Sequence, residues 1–305
     1  MRIAITGSNG FIGKHIKDML IDMNHQVVSI SNNIDHTNEI ENYTYNDFFL
    51  GNIKIKLDCI LHLASPNYDF CRDDSLRKGI SELTYKVVSS LHFYECNKLI
   101  YFSSAKVYGE PSFDQNIYFE NSPLSPKTDY GKEKVKAEDI VRTHSNKSGI
   151  DYIIYRMPMV YGKNMNSNIG NLINMINNSI PIPYFSIAES YKKSFLAIDN
   201  IKRCIAYNVK NPDSINQSIF NLADNGNYSL NEFIQKYKIM IGSKSVLIKL
   251  PSFIFIFLLK IPIFKIFLTK LYGSFNLNND KINNNMNIHI KSLEEGISAF
   301  VNINE

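Results

Sequence analysis

The sequence of 305 residues predicts an α/β fold, in which a doubly wound parallel sheet is joined to a smaller, mostly helical C-terminal domain. Three observations predict this fold. Short apolar, β-rich runs alternate with longer helical runs over the first two-thirds of the chain. A glycine-rich turn separates the first of these strands from the first helix. After Gly162 the alternation loosens, and from about Ser229 the pattern is mainly helical.

The alternating elements define the expected domains. The predicted strands occupy residues 2–6, 26–30, 58–63, 99–103 and 152–156. The predicted helices occupy residues 11–23, 75–96 and 130–148. Apolar strands that alternate with helices are typical of a parallel sheet covered on both faces. We expect the sheet domain to span 1–165 plus about 194–225, and the second domain to span about 166–193 plus 226–305.

Composition narrows the class of protein. With 44% hydrophobic and 20% charged residues the chain should be globular. Its net charge of +4 is too mild and dispersed for a nucleic-acid-binding protein, although it suits an anionic small molecule. No signal peptide precedes the first strand, so we expect a cytoplasmic protein.

The cysteines give no sign of a metal site. They form no C-x-x-C pair, and no histidine completes a zinc spacing. We therefore expect reduced, structural thiols and no metal. The four residues are Cys59, Cys71, Cys96 and Cys204.

The most apolar stretch, residues 253–268, admits two interpretations. Lys260, Pro262 and Lys265 interrupt it, so it is unsuited to a membrane span of about 20 residues. A pair of short helices packed in the C-terminal domain is one interpretation. The other is a surface that docks on a partner or on the inner face of a membrane, because basic residues stand among Phe and Ile.

The first motif with a chemical meaning is a G-x-x-G-x-x-G turn formed by Gly7, Gly10 and Gly13. In such a turn the first glycine permits the tight bend. The second lets the backbone approach a pyrophosphate, and the third lets the helix pack on the strand. The phosphates then lie at the helix N-terminus, where free N–H groups and the helix dipole favour anions. The motif predicts a dinucleotide site in a Rossmann-type domain.

The second motif is Y-x-x-x-K, formed by Tyr130 and Lys134 on a predicted helix. Their i,i+4 spacing puts the phenol and the ammonium on one face. A nearby cation favours the phenolate, so such a tyrosine can exchange a proton with a substrate oxygen near neutral pH. Ser104 ends a predicted strand 26 residues earlier, at the sheet edge where ligands bind. Its hydroxyl could hydrogen-bond the reacting carbonyl.

Taken together, these motifs resemble the extended short-chain dehydrogenase/reductases, a family of sugar-nucleotide epimerases, dehydratases and reductases. The resemblance covers nearly the whole chain. It implies a catalytic trio of Ser104, Tyr130 and Lys134, with Lys134 also binding the nicotinamide ribose. It further implies a homodimer formed through two helices per subunit, one of them bearing Tyr130.

The same resemblance suggests which residues surround the ligands. His62 opens a cofactor-floor segment, but we expect it to be a core histidine. The cofactor-binding residues implied are Gly7, Asn9, Gly10, Phe11, Ile12, Gly13, Asn32, Asp47, Phe48, Leu63, Ala64, Ser65, Tyr130, Lys134 and Pro158. The substrate-binding residues implied are Ser65, Ser104, Tyr130, Asn171 and Lys193, with Lys192 as a second candidate for the UDP pyrophosphate.

The residue types near the trio differ between members of the family that catalyse different reactions. The 4,6-dehydratases carry an acid pair directly after the serine, where this chain has Ala105 and Lys106. The 4-epimerases usually have Asn at the position of Met159. The run Arg156–Gly162 is more similar to the reductases of UDP-4-keto-6-deoxy-N-acetylhexosamines, whose products enter bacterial capsule or O-antigen.

Further segments similar to those reductases are 169–172, 181–183, 193–200, 271–275 and 292–296. We therefore expect NAD(P)H-dependent reduction of the C4 keto group. A UDP-hexose 4-epimerase that keeps NAD bound, and a non-catalytic NAD(P)-sensing Rossmann protein, remain alternatives.

Two departures from the family pattern affect the details. A position that is often Asn in the family is Ile80 here. Residues 29–33 contain no Asp or Glu to hold a ribose 2′-hydroxyl, and no Arg to hold a 2′-phosphate. Because the repelling carboxylate is missing, the cofactor choice between NAD(H) and NADP(H) leans to NADPH.

Overall fold

A seven-stranded sheet forms the centre of the fold in the computed structural model, which describes residues 1–32, 40–65, 79–165 and 167–301. The strands are β1 (Arg2–Thr6), β2 (Gln26–Ser31), β3 (Glu41–Thr44), β4 (Cys59–His62), β5 (Lys98–Ser104), β6 (Ile117–Tyr118), β7 (Asp151–Met157), β8 (Met159–Tyr161), β9 (Ile182–Phe185), β10 (Phe195–Ala197), β11 (Ser218–Asn221), β12 (Leu247–Leu250) and β13 (Asn276–Leu277). The large sheet has the order β11-β7-β5-β4-β1-β2-β3.

Parallel pairing runs through this sheet from β3 to β7. Thr6 at the end of β1 aligns with Ile30 on one side and His62 on the other. The carboxyl ends of the neighbouring strands therefore meet at one edge. The predicted doubly wound parallel sheet is confirmed.

Eleven α-helices accompany the strands in the described part of the chain. They are α1 (Phe11–Asp22), α2 (Tyr45–Phe49), α3 (Gly79–Ser90), α4 (Asp129–Ser148), α5 (Asn168–Asn177), α6 (Ile198–Lys210), α7 (Leu230–Met240), α8 (Ser252–Leu258), α9 (Pro262–Tyr272), α10 (Asp280–Asn285) and α11 (Leu293–Val301). Local chemistry explains their ends. Thr128 caps α4 through its side chain, and Gly149 ends it in the left-handed conformation with φ 67°.

The chain divides into two compact units. The first comprises residues 1–109, 123–157 and 202–220, and the second 110–122, 158–201 and 221–305. Residues 110–122, 158–165, 194–201 and 221–225, which the expected boundaries gave to the sheet domain, lie in the second unit. The reason is backbone pairing that sequence patterns do not reveal: β6 pairs with β13, and β10 pairs with β8.

The core of the first unit lies between the sheet and its helices. Strand residues such as Ile60 and Leu99 share one cluster of buried side chains with Val88 of α3 and Ala137 of α4. Burial of an aliphatic side chain of this size stabilises a fold by roughly 1.5–3 kcal/mol. Helices α3 and α4 also pack against each other.

The second unit has an aromatic core with one buried carboxylate. Tyr161, Phe195 and Phe233 share this cluster. Asp224 accepts hydrogen bonds from the Ala197 N–H (2.7 Å), the Asn200 amide (2.8 Å) and the Tyr161 hydroxyl (2.7 Å). Burial raises the pKa of Asp224 to about 7, against the pull of these donors.

The apolar stretch 253–268 forms α8 and α9, so the interpretation as a pair of short helices is confirmed. None of the described helices is long and apolar enough to cross a membrane. The Asn-rich segment 276–287 contains β13 and α10. Asn276 and Leu277 gain the partner strand β6 for their backbone groups.

Candidate active site

The strand order reverses between β1 and β4, which makes this the switch point of the sheet. From β1 the order proceeds to β2 and β3 on one side, and β4, β5 and β7 follow on the other. In open α/β sheets the crevice at the carboxyl ends of such strands binds ligands. The glycine turn after β1, the segment after β4 and Ser104 at the end of β5 all lie at this edge.

The glycine turn is built so that larger residues would not fit. Gly7 has φ +74°, and a Cβ there would lie 2.9 Å from the backbone of Ala64. A Cβ on Gly13 would lie 2.8 Å from the Ser8 Cα and would clash with the Gly7 carbonyl oxygen. The Gly10 N–H donates to the Gly7 carbonyl at 3.0 Å and closes the turn. The chain thus bends sharply and brings α1 close against β1.

Helix α1 presents an open N-terminus. Its N-cap is Gly10, which has no side chain to satisfy the first N–H groups, and the first turn contains no acidic residue. Asn9 and Gly10 are exposed, and Phe11 and Ile12 are half-buried. An uncapped N-terminus on a 12-residue helix is suited to a diphosphate.

A series of hydrogen bonds behind the glycine turn holds the turn in position. The Thr6 hydroxyl hydrogen-bonds His62 Nδ1 at 2.7 Å and accepts from the Ala64 N–H at 3.3 Å. His62 Nε2 hydrogen-bonds the Thr84 hydroxyl at 3.0 Å. Burial, with a smaller contribution from the charge of Lys134, lowers the pKa of His62 to about 3, so the ring is neutral. His62 is a core histidine, as expected.

The residues after β4 meet the requirements of a cofactor floor. Leu63 and Ala64 follow the strand and lie against Gly7. The buried Ser65 hydroxyl has no hydrogen-bond partner within the described residues. These observations, together with the uncapped helix, fit a dinucleotide; the residues that would hold it are the turn Gly7–Gly13 and the floor Leu63–Ser65.

Three other residues expected to bind the cofactor, Asn32, Asp47 and Phe48, differ in how exposed they are. Asn32 is exposed just after β2. Asp47 is half-buried and joined to Thr44, which caps α2. Phe48 is fully buried, and its ring stacks on Tyr94 at 4.6 Å between ring centroids. Its carbonyl accepts a hydrogen bond from the Tyr94 hydroxyl at 2.5 Å.

Tyr45 is a candidate that sequence reasoning missed. Its hydroxyl hydrogen-bonds the Thr6 side chain and the Gly7 backbone, and burial raises its pKa to about 12. The tyrosine therefore lies beside the glycine turn. A lone tyrosine in a short, weakly patterned segment gives no signal in the sequence.

Tyr130 and Lys134 lie one turn apart on α4, as their spacing predicts. The Lys134 ammonium is 5.9 Å from the Tyr130 ring centroid and 4.9 Å from that of Tyr101. It donates to the Phe102 carbonyl at 2.8 Å. Burial lowers the pKa of Lys134 to about 7, while Glu138 acts in the opposite direction. This amine can therefore change its charge near neutral pH.

Ser104 is half-buried at the end of β5, and its hydroxyl accepts the Lys106 N–H at 3.3 Å. The start of α4 is held close to this turn by a glycine. A Cβ at Gly131 would lie 2.6 Å from the Lys106 carbonyl oxygen. Gly131, which sequence reasoning missed, thus allows Tyr130 to approach the segment that follows Ser104.

A buried ion pair between Glu138 and Arg156 holds α4 against the sheet. Glu138 accepts hydrogen bonds from two nitrogens of Arg156, from Nη2 at 2.6 Å and from Nε at 3.0 Å and 3.2 Å to its two oxygens. It accepts another from the Ser103 hydroxyl at 2.5 Å. Arg156 also donates to the Tyr108 hydroxyl at 2.9 Å. These bonds connect α4, which bears Tyr130 and Lys134, to β5 and β7. Of these residues, the sequence analysis singled out only Arg156, as part of a family run.

The remaining predicted residues belong to the second unit. The Lys193 amine is buried and donates to the Leu271 carbonyl at 2.7 Å, in the last turn of α9. Burial lowers its pKa to about 8. Lys192 pairs with Glu232 at 2.5 Å. Asn171 is exposed on α5, and Pro158 directly follows β7.

The described cysteines are structural in their setting. Cys59, Cys96 and Cys204 are free and buried. Burial raises the pKa of Cys96 to about 12, so its thiol is protonated. Cys71 lies outside the described residues. Among the described residues, no three His, Cys, Asp or Glu side chains are grouped to hold a metal ion.

A switch-point glycine turn, an uncapped helix and a Tyr/Lys pair define a dinucleotide-binding enzyme of the Rossmann type. Comparison with known proteins identifies its family. The family model for the NAD dependent epimerase/dehydratase family matches residues 3–223, more than two-thirds of the chain. The chain therefore belongs to the NAD-dependent epimerase/dehydratase family, the extended short-chain dehydrogenase/reductases.

Three similar proteins illustrate the family. A Methanocaldococcus jannaschii protein named "Putative UDP-glucose 4-epimerase" is 28% identical over 261 residues, covering 79% of this chain and 82% of that one. The UDP-glucuronic acid 4-epimerase of Bacillus cereus, solved with NAD, superposes with a TM-score of 0.76 at 18% identity and covers 99% and 96% of the two chains. A human epimerase family protein solved with NADPH gives 0.79 at 15% identity, with 99% of each chain covered.

Proposed function

We propose that this enzyme transfers a hydride between a nicotinamide dinucleotide and C4 of a UDP-linked hexose. The observation that carries the proposal is the placement of Tyr130 one helical turn before the buried Lys134. A bound nicotinamide supplies the hydride acceptor or donor. The family, whose similar members act on UDP-sugars, supports the substrate class.

The chain's own residues would manage the proton that accompanies the hydride. Tyr130 takes the proton from the C4 hydroxyl when C4 is oxidised, and returns it to the C4 oxygen when C4 is reduced. Lys134 stabilises the tyrosinate through its charge and binds the nicotinamide ribose. Ser104 donates a hydrogen bond to the C4 oxygen and orients it. Gly131 and the Glu138–Arg156 pair keep these groups in place.

The net reaction that the relatives favour is 4-epimerisation. The 28% identical relative and the similar Bacillus cereus structure are both named as 4-epimerases of UDP-sugars. In this reaction C4 gives up a hydride and a proton to form a ketone. The ketone then rotates within the site. It receives the hydride and the proton back with C4 presenting its opposite face, so no cofactor is consumed.

A second net reaction, 4-ketoreduction, is favoured by Met159, which stands where 4-epimerases usually have Asn. The reductase-like segments 193–200 and 271–275 also meet in the second unit. There Lys193 and Phe275 form an isolated parallel β-bridge, and the Ser194 N–H donates to the Phe275 carbonyl at 3.0 Å. The substrate would be a UDP-4-keto-6-deoxy-N-acetylhexosamine for bacterial capsule or O-antigen, and the cofactor NADPH. Asn171 and Lys193 remain the proposed substrate contacts.

One experiment separates the two reactions. One portion of the purified enzyme is denatured, and any nucleotide that it releases is identified by chromatography. A second, untreated portion, which keeps any bound nucleotide, is assayed with UDP-glucose and UDP-N-acetylglucosamine without added cofactor. In parallel, a UDP-4-keto-6-deoxy-N-acetylhexosamine made in situ by a dehydratase is offered with NADPH or NADH.

Retained NAD and interconversion of the UDP-hexoses would support the epimerase. Loss of reduced-cofactor absorbance on the keto sugar would support the reductase and contradict the epimerase. In either case Tyr130→Phe should lower the rate by roughly 10²–10⁴-fold, the range for a lost general acid–base group. A matched Tyr85→Phe variant, which changes an exposed tyrosine, should retain the rate. No turnover of any of these sugars would contradict the proposal.

The same family membership supports a homodimer formed through α3 and α4. These two helices pack against each other, and Tyr130 lies on α4. We place the reaction in the cytoplasm, where UDP-sugars are made.

A further inference from the structure

Helices α8 and α9 form an apolar surface that the second unit leaves uncovered. On their inner sides Phe255, Leu268 and Tyr272 are buried in the core of that unit, and the Phe255 and Tyr272 rings lie 5.9 Å apart. On their outer sides, seven large apolar residues are 44–73% exposed. They are Phe253, Ile256, Phe257, Ile263, Phe264, Ile266 and Phe267.

This pattern is unusual for a helix at a protein surface, which normally turns polar residues to water. The spacing within α9 shows that it is not an accident of one residue. Leu268 and Tyr272 are one turn apart and face inward, whereas Ile263 and Ile266 lie on the opposite side of the helix. Large exposed apolar patches of this kind mark interaction sites.

The charge around this surface indicates what it meets. Between residues 233 and 279 there is no Asp or Glu, but there are seven lysines. They are Lys236, Lys238, Lys244, Lys249, Lys260, Lys265 and Lys270. The whole chain carries only +4, so the remainder of the sequence is net acidic. One of the seven lysines, Lys236, pairs with Glu294. Lys260, Lys265 and Lys270 are exposed on or between the two helices.

We propose that α8 and α9 lie in the interface of an anionic lipid bilayer. Their Phe and Ile side chains enter the region between headgroups and acyl chains, and the lysines contact lipid phosphates. Apolar residues with basic ones and no acidic ones are what an in-plane membrane helix requires. The helices have 7 and 11 residues, so they can lie on a bilayer but not cross it.

The absence of tryptophan from the chain allows a direct test. Phe253→Trp introduces a single fluorophore on the proposed surface, and Phe93→Trp places a matched one at an exposed position of the first unit. Each protein is mixed with vesicles of phosphatidylcholine alone or of phosphatidylcholine with phosphatidylglycerol. Only the Phe253→Trp emission should shift to the blue and be quenched by brominated lipid, and only with the anionic vesicles.

Vesicle flotation of the full chain provides the second measurement. Replacing Phe253, Phe257, Ile263 and Ile266 together by Ser should lower the floating fraction at least roughly tenfold, because the buried apolar area is lost. Leu50→Ser with Phe93→Ser is the matched control, since both residues are exposed elsewhere. A combined Lys260→Glu, Lys265→Glu and Lys270→Glu variant should lose binding to anionic vesicles, and added salt should weaken that of the parent protein.

Two outcomes would overturn the proposal. The parent protein could stay off anionic vesicles at low salt. Alternatively, the fourfold Ser variant could lose a dimer or larger assembly in light scattering while vesicle binding is absent, which would make the surface an interface between copies of the chain. Because C4 chemistry on a UDP-sugar is assayed without lipid, neither result affects the proposed reaction.

Discussion

At the scale of single residues, Lys134 makes the chemistry of the site dependent on pH. Its amine is buried beside the Tyr101 and Tyr130 rings, with a backbone carbonyl as its hydrogen-bond acceptor. Glu138, one turn further along α4, is the counter-charge that raises its pKa against the effect of burial. While the Lys134 amine is charged, its buried position beside Tyr130 therefore lowers the free energy of unfolding.

This cost leads to a prediction about unfolding. Burial lowers the pKa of Lys134 from 10.5 to about 7, so between these values the unfolded chain holds a proton that the folded chain has released. Stability should then rise with pH over this window, by at most roughly 1.4 kcal/mol per pH unit. Below about pH 7 the contribution should be flat. Urea unfolding of the parent and of Lys134→Met measures it as a difference that grows from about pH 7 upward.

Lys132→Met is the control, because Lys132 is exposed on the same helix and pairs with the exposed Asp129. Its difference from the parent should not change over this range. A constant difference for Lys134→Met as well would mean that the folded protein keeps the proton on Lys134.

The sequence could predict part of this site at the residue scale. The i,i+4 spacing of Tyr130 and Lys134 depends on one helix, and local patterning is enough to find that helix. The Glu138–Arg156 pair joins α4 to β7, and the Tyr45 contact joins α2 to the end of β1. Such contacts depend on the tertiary arrangement, which neither spacing nor propensity reveals.

At the scale of elements, the glycine turn determines how closely α1 approaches β1. In Gly13→Ala the new Cβ would lie 2.8 Å from the Ser8 Cα, so the helix must shift. We expect a loss of roughly 1–3 kcal/mol in stability and a weaker affinity for the dinucleotide. Thermal unfolding and a titration followed by nicotinamide fluorescence would measure the two effects.

Gly79→Ala is the comparison for that variant, because no other part of the described chain lies within 4 Å of a Cβ at Gly79. It begins α3, where Ala is the better helix former, and should be neutral or slightly stabilising. If Gly13→Ala bound the dinucleotide as tightly as the parent, close packing of α1 would not be needed for the site.

The buried pair between α4 and β7 should be the strongest single polar contribution to the position of α4. Glu138→Gln leaves the Arg156 guanidinium buried without a counter-charge, and we expect a loss of about 3–5 kcal/mol. Asp139→Asn breaks an exposed pair with Arg142 on the same helix and should cost less than about 1 kcal/mol. Chemical denaturation compares the two.

A double variant shows whether the loss in Glu138→Gln comes from the missing counter-charge of Arg156 or from other contacts of Glu138. Glu138→Leu with Arg156→Met removes both charges and should recover much of the lost stability, because apolar replacement of a buried pair is often neutral. If this double variant were as unstable as Glu138→Gln, the hydrogen bond of Ser103 to Glu138 would be the more important contact.

Element lengths explain which parts of the fold the sequence predicts. The strands at 2–6, 98–104 and 151–157 are apolar runs bounded by turns, and their predicted limits differ by at most one residue from the observed ones. Strand β3 and helix α2 have four and five residues, too few for a period to be visible. Helix α10 is missed because its Asn-rich sequence has a low helix propensity, which packing of the buried Ile282 overcomes.

At the scale of the whole molecule, the division into units depends on long-range pairing. Residues 110–122 leave the first unit for the second only because β6 pairs with β13, more than 150 residues later in the chain. A change from one periodic pattern to another marks where an element ends. It does not show which distant strand will be its partner, so domain boundaries are predicted less well than elements.

The assembly of the molecule provides the last prediction. If the homodimer forms through α3 and α4, their outward side chains are buried between subunits. Tyr85 on α3 is 56% exposed in the single chain, and its ring meets His144 of α4 edge-on at 6.4 Å. A carboxylate at this point would lose its hydration between the subunits, which is costly at an interface. We therefore expect Tyr85→Glu to be monomeric.

Light scattering should give twice 35.0 kDa for the parent protein and 35.0 kDa for Tyr85→Glu. Leu50→Glu is the matched control, since Leu50 is similarly exposed but lies outside both helices, and it should remain dimeric. The variant should keep its fold, because Tyr85 contributes little to the core of its own subunit. A dimer that survives Tyr85→Glu would place the interface elsewhere, and loss of that dimer in the fourfold Ser variant would place it at α8 and α9.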